Sequence, residues 1–276
     1  MHISELSKEQ LLPDTFPSFV PKALSYSMVD GYERCGYWCY LAHVLGVEER
    51  PNFYSQFGSL IHSIIERDGR VQLEQKKRYT EKGLLKLYDR LIEETPIYWP
   101  DRRTEERYKT MGRDMIVHYA QGRLGGLVAV EYRFRVNVGL PVPVTGVIDS
   151  VRRESNGLHV TDYKTGNPYP ANQLKNGPQL TLYAVATQLS FGEWPKGVEY
   201  YFLKTDQRFP LTRSRKQAKE LIDHYRQVLE RMKAGEFRHH CEDEWWCRHI
   251  CGYGIEGGCP FVSGGRLQSE ARAKYA

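Results

Sequence analysis

The residues best suited to chemistry lie between Gly146 and Gly166, where Gly146-Val-Ile-Asp149 and Asp162-Tyr-Lys164-Thr-Gly166 flank the pair Asn156-Gly157. Asn-Gly between two alternating runs is the strongest short-range hairpin signal. With those two residues as the loop, Asp149 stands opposite Lys164 and diagonal to Asp162, on one face of the ribbon. A one-residue slip would separate the three, and a two-residue slip would not, because strand side chains repeat every second position. Two carboxylates beside an ammonium can hold a divalent cation through hard oxygen ligands and leave a charge aimed at phosphate or water.

Sulfur supplies the second set. The six cysteines fall in two groups, Cys35 and Cys39, then Cys241, Cys247, Cys251 and Cys259. The 276-residue chain has no apolar run long enough to span a bilayer and no charged-then-apolar leader at Met1, so neither membrane insertion nor secretion is supported. In the cytoplasmic setting this implies, clustered cysteines favour a metal centre over disulfides. The length allows one large domain or two small ones with a sizeable core. Charged residues make up 26%, apolar residues 41%, and the net charge of +5 suits a polyanionic partner without requiring one.

The elements that must position these groups follow from period and punctuation. Met1 to about Lys22 is polar and proline-punctuated, which predicts an extended arm. Ser25-Tyr26-Ser27 caps a helix, with Asp30 three residues after Ser27, and Cys35 and Cys39 lie four apart on it and share a face. The aromatics around them, Tyr26, Tyr32, Tyr37, Trp38 and Tyr40, read first as core packing. A second helix begins at about Gln56-Phe-Gly-Ser and runs through Glu66, with His62 and Glu66 on one side; a lone histidine there is more often structural than a ligand. Glu81–Glu94 and 105–123 read as charged helices with mostly solvated faces.

At Gly125-Gly126 the period switches to alternation. Strands are predicted over 127–138, 141–153 and 158–164, forming a meander. Glu131 lies inside the first of them, where an acid is costly unless it is paired, coordinates something or lies on an exposed antiparallel face. A loop with Asn167, Pro168 and Pro170 follows, then a helix opening near Pro178, a strand over 196–205 and a long charged helix over 213–234. The segment from Cys241 to Pro260 is rich in glycine and cysteine and has no hydrophobic period, so something other than a packed core must order it. No internal repeat or low-complexity tract is present.

These pieces in this order resemble the RecB-like branch of the PD-(D/E)XK nucleases. The match lies in Gly58-Ser-Leu-Ile-His62, Gly146-Val-Ile-Asp149, Asp162-Tyr-Lys164-Thr-Gly and Gln179-Leu-Thr-Leu-Tyr183, and it spans about 25–259. Each motif alone is weak; four in sequence are specific. The resemblance implies an α/β restriction-endonuclease-like core, a central mixed sheet flanked by helices, with a helical insert over 81–124. It implies an arm over 1–24, a single nuclease domain over 25–260 and a tail over 261–276.

Carried over residue by residue, the family pattern makes His62, Asp149, Asp162 and the backbone carbonyl of Tyr163 ligands of magnesium or manganese. Lys164 would orient or activate the attacking water. Gln179 and Tyr183 would lie beside the active site and touch DNA, with Glu131 in a secondary, supporting role. The final acid is Asp where the family name has Glu, as is usual in this branch.

The cysteines resemble those of the iron-sulfur subgroup, which includes the nuclease domain of AddB and the small CRISPR-associated exonucleases. That resemblance implies a 4Fe-4S cluster on Cys35, Cys247, Cys251 and Cys259, tying the 241–260 segment to 25–45 and closing the domain into a ring suited to threading a single strand. The late spacings are longer than the subgroup's usual Cys-x-x-Cys, and Cys39 and Cys241 are spare and could replace an assigned ligand. Four thiolates around zinc is the alternative.

The activity implied is a metal-dependent DNA exonuclease favouring single-stranded ends, in the cytoplasm of a prokaryote or a phage-infected host. Its partners would be proteins of recombination, repair or CRISPR adaptation. The competing class is a non-catalytic DNA-binding or assembly module that retains the nuclease scaffold. No Walker-type phosphate loop is present, so no helicase motor is expected in this chain. The 213–219 basic segment could meet phosphate or serve as ordinary surface.

Overall fold

The computed structural model describes residues 1–239, 244–262, 264–265 and 267–275. Its residues divide into two units, one made of Met1–Tyr54, Leu140–Val142 and Asp223–Ala276, the other of Ser55–Gly139 and Pro143–Ile222. Among the described residues, no helix is long and apolar enough to cross a membrane.

The first unit begins with a 3-10 turn (Ile3–Glu5) and α1 (Lys8–Leu11), where an extended arm was expected. The polar residues there are caps: Ser7 Oγ accepts from Gln10 N–H while Gln10 Oε1 accepts from Ser7 N–H. The scattered apolar ones, Ile3, Leu6, Leu11 and Leu12, are buried, and runs this short show no period in sequence. A two-residue strand β1 (Leu24–Ser25) leads into α2 (Tyr26–Arg34), which Ser25 Oγ caps by accepting from Met28 N–H at 3.1 Å. α2 stops at Cys35, whose backbone is extended, and α3 (Gly36–Cys39) starts afresh. Cys35 and Cys39 therefore do not share a face of one helix. The break is held by Tyr37 N–H donating to Arg238 O and by Trp38 N–H donating to Cys35 Sγ.

The second unit carries the sheet. α4 (Phe53–Gln75), α5 (Glu81–Glu94) and α6 (Arg102–Gly122) precede β2 (Leu127–Val136), β3 (Val144–Glu154) and β4 (Gly157–Lys164). α7 (Ala171–Asn176) and α8 (Pro178–Phe191) then cross over to β5 (Gly197–Phe202) and β6 (Gln207–Leu211). β2, β3 and β4 are antiparallel neighbours, β4 and β5 run parallel, and β6 returns antiparallel. The parallel step is what requires a crossover, and the helices provide it. The expected strand over 196–205 is the shorter β5 with a turn after it; β6 and α7 had no sequence signal beyond a loop.

The insert helices α5 and α6 bury Leu84, Leu87, Tyr88, Met115, Ile116 and Tyr119 in a core shared with Ile61, Ile64 and Ile65 of α4. One charge goes inside with them. Asp68, fully buried, accepts from Arg123 Nη1 at 2.7 Å, Tyr119 OH at 2.9 Å and Tyr79 N–H at 2.9 Å. That saturated carboxylate pins α4 to α6 and to the loop after it.

α9 (Arg215–Lys233) returns the chain to the first unit, which ends in α10 (Glu244–His249), α11 (Gly252–Ile255) and α12 (Gln268–Tyr275). α12 is docked at its end by Lys274 Nζ, which donates to Leu12 O and pairs with Asp14.

Candidate active site and cysteine centre

The hairpin register differs from the expected one. Glu154 pairs with Gly157, leaving Ser155-Asn156 as the turn, and the ladder continues through Val151 with Val160 to Ser150 with Thr161. Val151, Leu158 and Val160 are all fully buried, so the apolar pairing of Val151 with Val160 sets the register over the Asn-Gly preference. The shift amounts to two residues, which preserves faces. One step further out, Asp149 lies level with Asp162, not Lys164, at the point where pairing of β3 with β4 ends. β4 runs on beside β5 as far as Lys164 opposite Phe202.

At this parting of the strands the charges meet. Asp149 is 7% exposed and Asp162 2%. Asp149 Oδ2 accepts from Tyr163 N–H at 2.7 Å. Lys164 Nζ lies 2.7 Å from Asp162 Oδ2 and donates to Gln179 Oε1 at 2.8 Å, and Gln179 Nε2 donates to Tyr183 OH at 3.0 Å. Gln179 and Tyr183 are one turn apart on α8, which Pro178 opens at its first position.

His62 reaches the same place from α4. Its Nδ1 lies 3.5 Å from Glu131 Oε1 and 3.6 Å from Asp149 Oδ1. α4 can lie this close because Gly69, two turns on, packs against Val130 of β2, where an added Cβ would collide with the valine side chain. Glu66, on the same side of α4 in sequence, is tied to Arg70 instead.

Glu131 arrives by a backbone irregularity. Its φ of 45° is left-handed inside a strand, a conformation rare for residues with a Cβ and costing about 1–3 kcal/mol. The neighbouring pairs, Val130 with Ser150 and Tyr132 with Ile148, put it level with Asp149. Ligand atoms of His62, Glu131 and Asp149 all lie within 4.8 Å of one another, and Asp162 is outside that trio. Sequence alone hides this, since Val128, Val130, Tyr132, Phe134 and Val136 alternate without a break; the one signal was an acid in an apolar strand.

The electrostatics ask for a cation. Burial, with the Asp149 charge adding, pushes Asp162 up to about 6 against the opposing Lys164. Burial alone would lower His62, but Asp149 and Glu131 outweigh it and raise it to about 10. Burial would likewise lower Lys164, and Asp162 and Asp149 reverse the sign and hold it protonated. Asp162 Oδ2 has no hydrogen bond of good geometry despite its ion pair. Buried carboxylates beside an imidazole are a donor set that fits a hard divalent cation, and the imidazole suits manganese in particular. His62, Asp149, Asp162 and Lys164 line a cleft of about 270 Å³. Asn167 and Tyr169, from the loop after β4, line it too; Tyr169 is wedged edge-on against Tyr200 and Phe202, and nothing in the sequence marked it.

In the first unit, Cys35, Cys247, Cys251 and Cys259 line one cavity of about 300 Å³, together with Trp38 and Trp246. Cys39 is fully buried and does not line it; Cys241 falls outside the described residues. Cys35, Cys251 and Cys259 are free thiols, and Cys247 is disulfide-bonded. Burial pushes the Cys251 thiol up to about 12 and the Cys259 thiol upward as well. Yet backbone amides are aimed at these sulfurs: Trp38 at Cys35, Gly254 and Tyr253 at Cys251, Phe261 and Val262 at Cys259. Donors directed at sulfur that burial keeps from ionising fit thiolates bound to a metal, with Cys247 reduced to join them. Among the described residues no three free thiols come within 4.8 Å.

Gene 69 protein of Mycobacterium phage D29 is 26% identical over 205 residues, covering 65% of this chain and 74% of that protein. Among solved structures, protein VC1899 from Vibrio cholerae is similar at 13% identity with a TM-score of 0.25, covering 78% of this chain, which spans 59% of that one. A likeness that low carries no argument. The model of the PD-(D/E)XK nuclease superfamily, by contrast, matches residues 23–260, a span that includes His62, Glu131, Asp149, Asp162 and Lys164, and the chain belongs to that superfamily.

Proposed function

We propose that the chain is a metal-dependent DNA exonuclease of the RecB-like branch that acts on single-stranded ends. Its setting would be recombination, repair or spacer processing in a prokaryotic or phage-infected cytoplasm. One observation carries the reading: the buried pair Asp149 and Asp162, with Lys164 alongside and His62 and Glu131 across the cleft. His62, Asp149, Asp162 and the Tyr163 carbonyl would hold magnesium or manganese, with Glu131 close enough to share the load. A divalent cation there supplies polarisation of a phosphoryl oxygen and a more acidic water.

The chain's own residues do the rest. Lys164, held charged, faces the developing negative charge and orients the nucleophile. Gln179 keeps the Lys164 ammonium from collapsing wholly onto Asp162, since it accepts one of that ammonium's protons. Tyr183 fixes the Gln179 amide. The Tyr163 amide holds Asp149 in place as a ligand. In the first unit, Cys35, Cys247, Cys251 and Cys259 would carry a 4Fe-4S cluster that orders the C-terminal segment.

The test is cleavage of end-labelled single- and double-stranded DNA with manganese or magnesium, on protein purified without oxygen, with iron and sulfide assayed on the same sample. Metal-dependent shortening from an end, lost in Lys164→Ala, is the expected result. Tight DNA binding without cleavage would establish the scaffold alternative, and zinc in place of iron would keep the nuclease and remove the cluster.

A further inference from the structure

We propose that Glu49 is the positioning residue of the cysteine centre, clamping the Cys35 and Cys251 arms together and placing a negative charge beside them; this rests on the metal-centre reading of the cavity. Glu49 lines the cavity and its two oxygens face opposite arms. Oε2 accepts from Trp38 Nε1–H at 2.8 Å, and Trp38 is the residue whose backbone N–H is given to Cys35 Sγ. Oε1 accepts from Gly252 N–H at 2.9 Å, in the residue directly after Cys251.

The segment around Glu49 reinforces the same contact. Val47 O accepts from Tyr253 OH at 2.8 Å, and Asn52 Nδ2 donates to Ile250 O at 3.0 Å. Three hydrogen bonds from 47–52 thus bracket Cys251 on both sides. The approach is so close that a Cβ at Gly252 would strike the Arg50 backbone and the Glu49 side chain. A carboxylate beside thiolates is unfavourable by charge alone. Both oxygens act as acceptors, which offsets that cost, and aspartate, one methylene shorter, would not span the two arms. Glutamine keeps the shape but offers one acceptor oxygen where two are required.

The experiment compares wild type with Glu49→Gln, both purified anaerobically. The readouts are metal and sulfide per chain, the rate of metal loss to a chelator, and the reduction midpoint of the bound cluster. Loss of an outer hydrogen-bonding partner typically weakens a metal centre about 10- to 100-fold, so loss to chelator is expected to quicken by that factor. Removing a negative charge makes adding an electron easier, so the midpoint shifts upward. A metal-loaded wild type whose variant matches it in both rate and midpoint overturns the Glu49 proposal alone. A wild type carrying neither iron nor zinc overturns the metal-centre reading and the clamp with it. Should the metal be zinc, unchanged chelator kinetics overturn the proposal and faster loss supports it. Circular dichroism of both proteins shows whether the variant folds, and a folded variant with faster loss is the supporting case.

Discussion

The cleft and the cysteine cavity place reactive groups by opposite means. Every charged side chain of the cleft projects from a long regular element: His62 from α4, Glu131 from β2, Asp149 from β3, Asp162 and Lys164 from β4. Hydrogen-bonded ladders and an apolar core hold those elements whether or not a cation is bound. Of the four cavity cysteines, Cys247 lies within the six-residue α10, and the other three sit at joints. Cys35 is the residue between α2 and α3, Cys251 caps the four-residue α11, and Cys259 follows a glycine pair. The lesson is that the cleft's groups are placed by the fold itself, whereas the cavity's sulfurs are placed mostly where regular structure stops.

The largest expected effect separates the two at once. Lys164→Ala or Asp162→Asn should cut cleavage by at least about 10³-fold, in line with the loss of a metal ligand or an electrostatic stabiliser in a water-poor site. The melting temperature should stay within a few degrees of wild type. A chelator of divalent cations should do the same reversibly. Residual cleavage within tenfold of wild type would disconnect these residues from the chemistry. Next comes Cys251→Ser. Where a metal is part of the fold its binding free energy is folding free energy, on the order of 10 kcal/mol for structural sites. The first unit should therefore become open to proteolysis while the sheet unit resists, read by fragment masses on limited digestion. An intact C-terminal segment would mean the cavity needs no metal.

Asp68→Ala breaks the comparison from the other side, since it damages the sheet unit without touching its cleft. Removing the fully buried carboxylate that Arg123, Tyr119 and Tyr79 all donate to should cost about 3–5 kcal/mol, visible as a lower denaturation midpoint. Cleavage per folded molecule should hold, because neither Asp68 nor the groups it accepts from, on Arg123, Tyr119 and Tyr79, line the cleft. A fall in specific activity would show that the insert sets the angle of α4 and so the reach of His62.

The contrast also explains what could be read from the sequence. Period carried the cleft: β2, β3, β4 and α8 begin within three residues of where alternation, Gly125-Gly126 and Pro178 put them, and α5 spans the very range expected. Because the error in hairpin register was an even number, Asp149, Asp162 and Lys164 still share the cleft. What failed was local and conformational. The left-handed φ of Glu131 leaves no mark in an alternating strand, and the break at Cys35 depends on Arg238, some two hundred residues away. The pairing of the N-terminal turns with buried Leu6 and Leu11 likewise needs tertiary contact to be seen. Spacing predicted which residues come to line the cleft and the cavity better than it predicted their arrangement there.

The smallest effect is the sharpest test of how the cleft is wired. Tyr183 OH accepts from Gln179 Nε2, and Gln179 Oε1 accepts from Lys164 Nζ. If Tyr183 acts only through that relay, Tyr183→Phe removes one neutral hydrogen bond, worth about 0.5–1.5 kcal/mol, and cleavage falls roughly two- to tenfold. In a Gln179→Ala background the same substitution should then do almost nothing, a coupling that a double-mutant cycle reads directly. Equal loss in both backgrounds would mean that the phenol meets the DNA itself. Tyr183 would then join Lys164 as a substrate contact and cease to be a support behind it, and the cleft would read its strand from α8 as well as from β4.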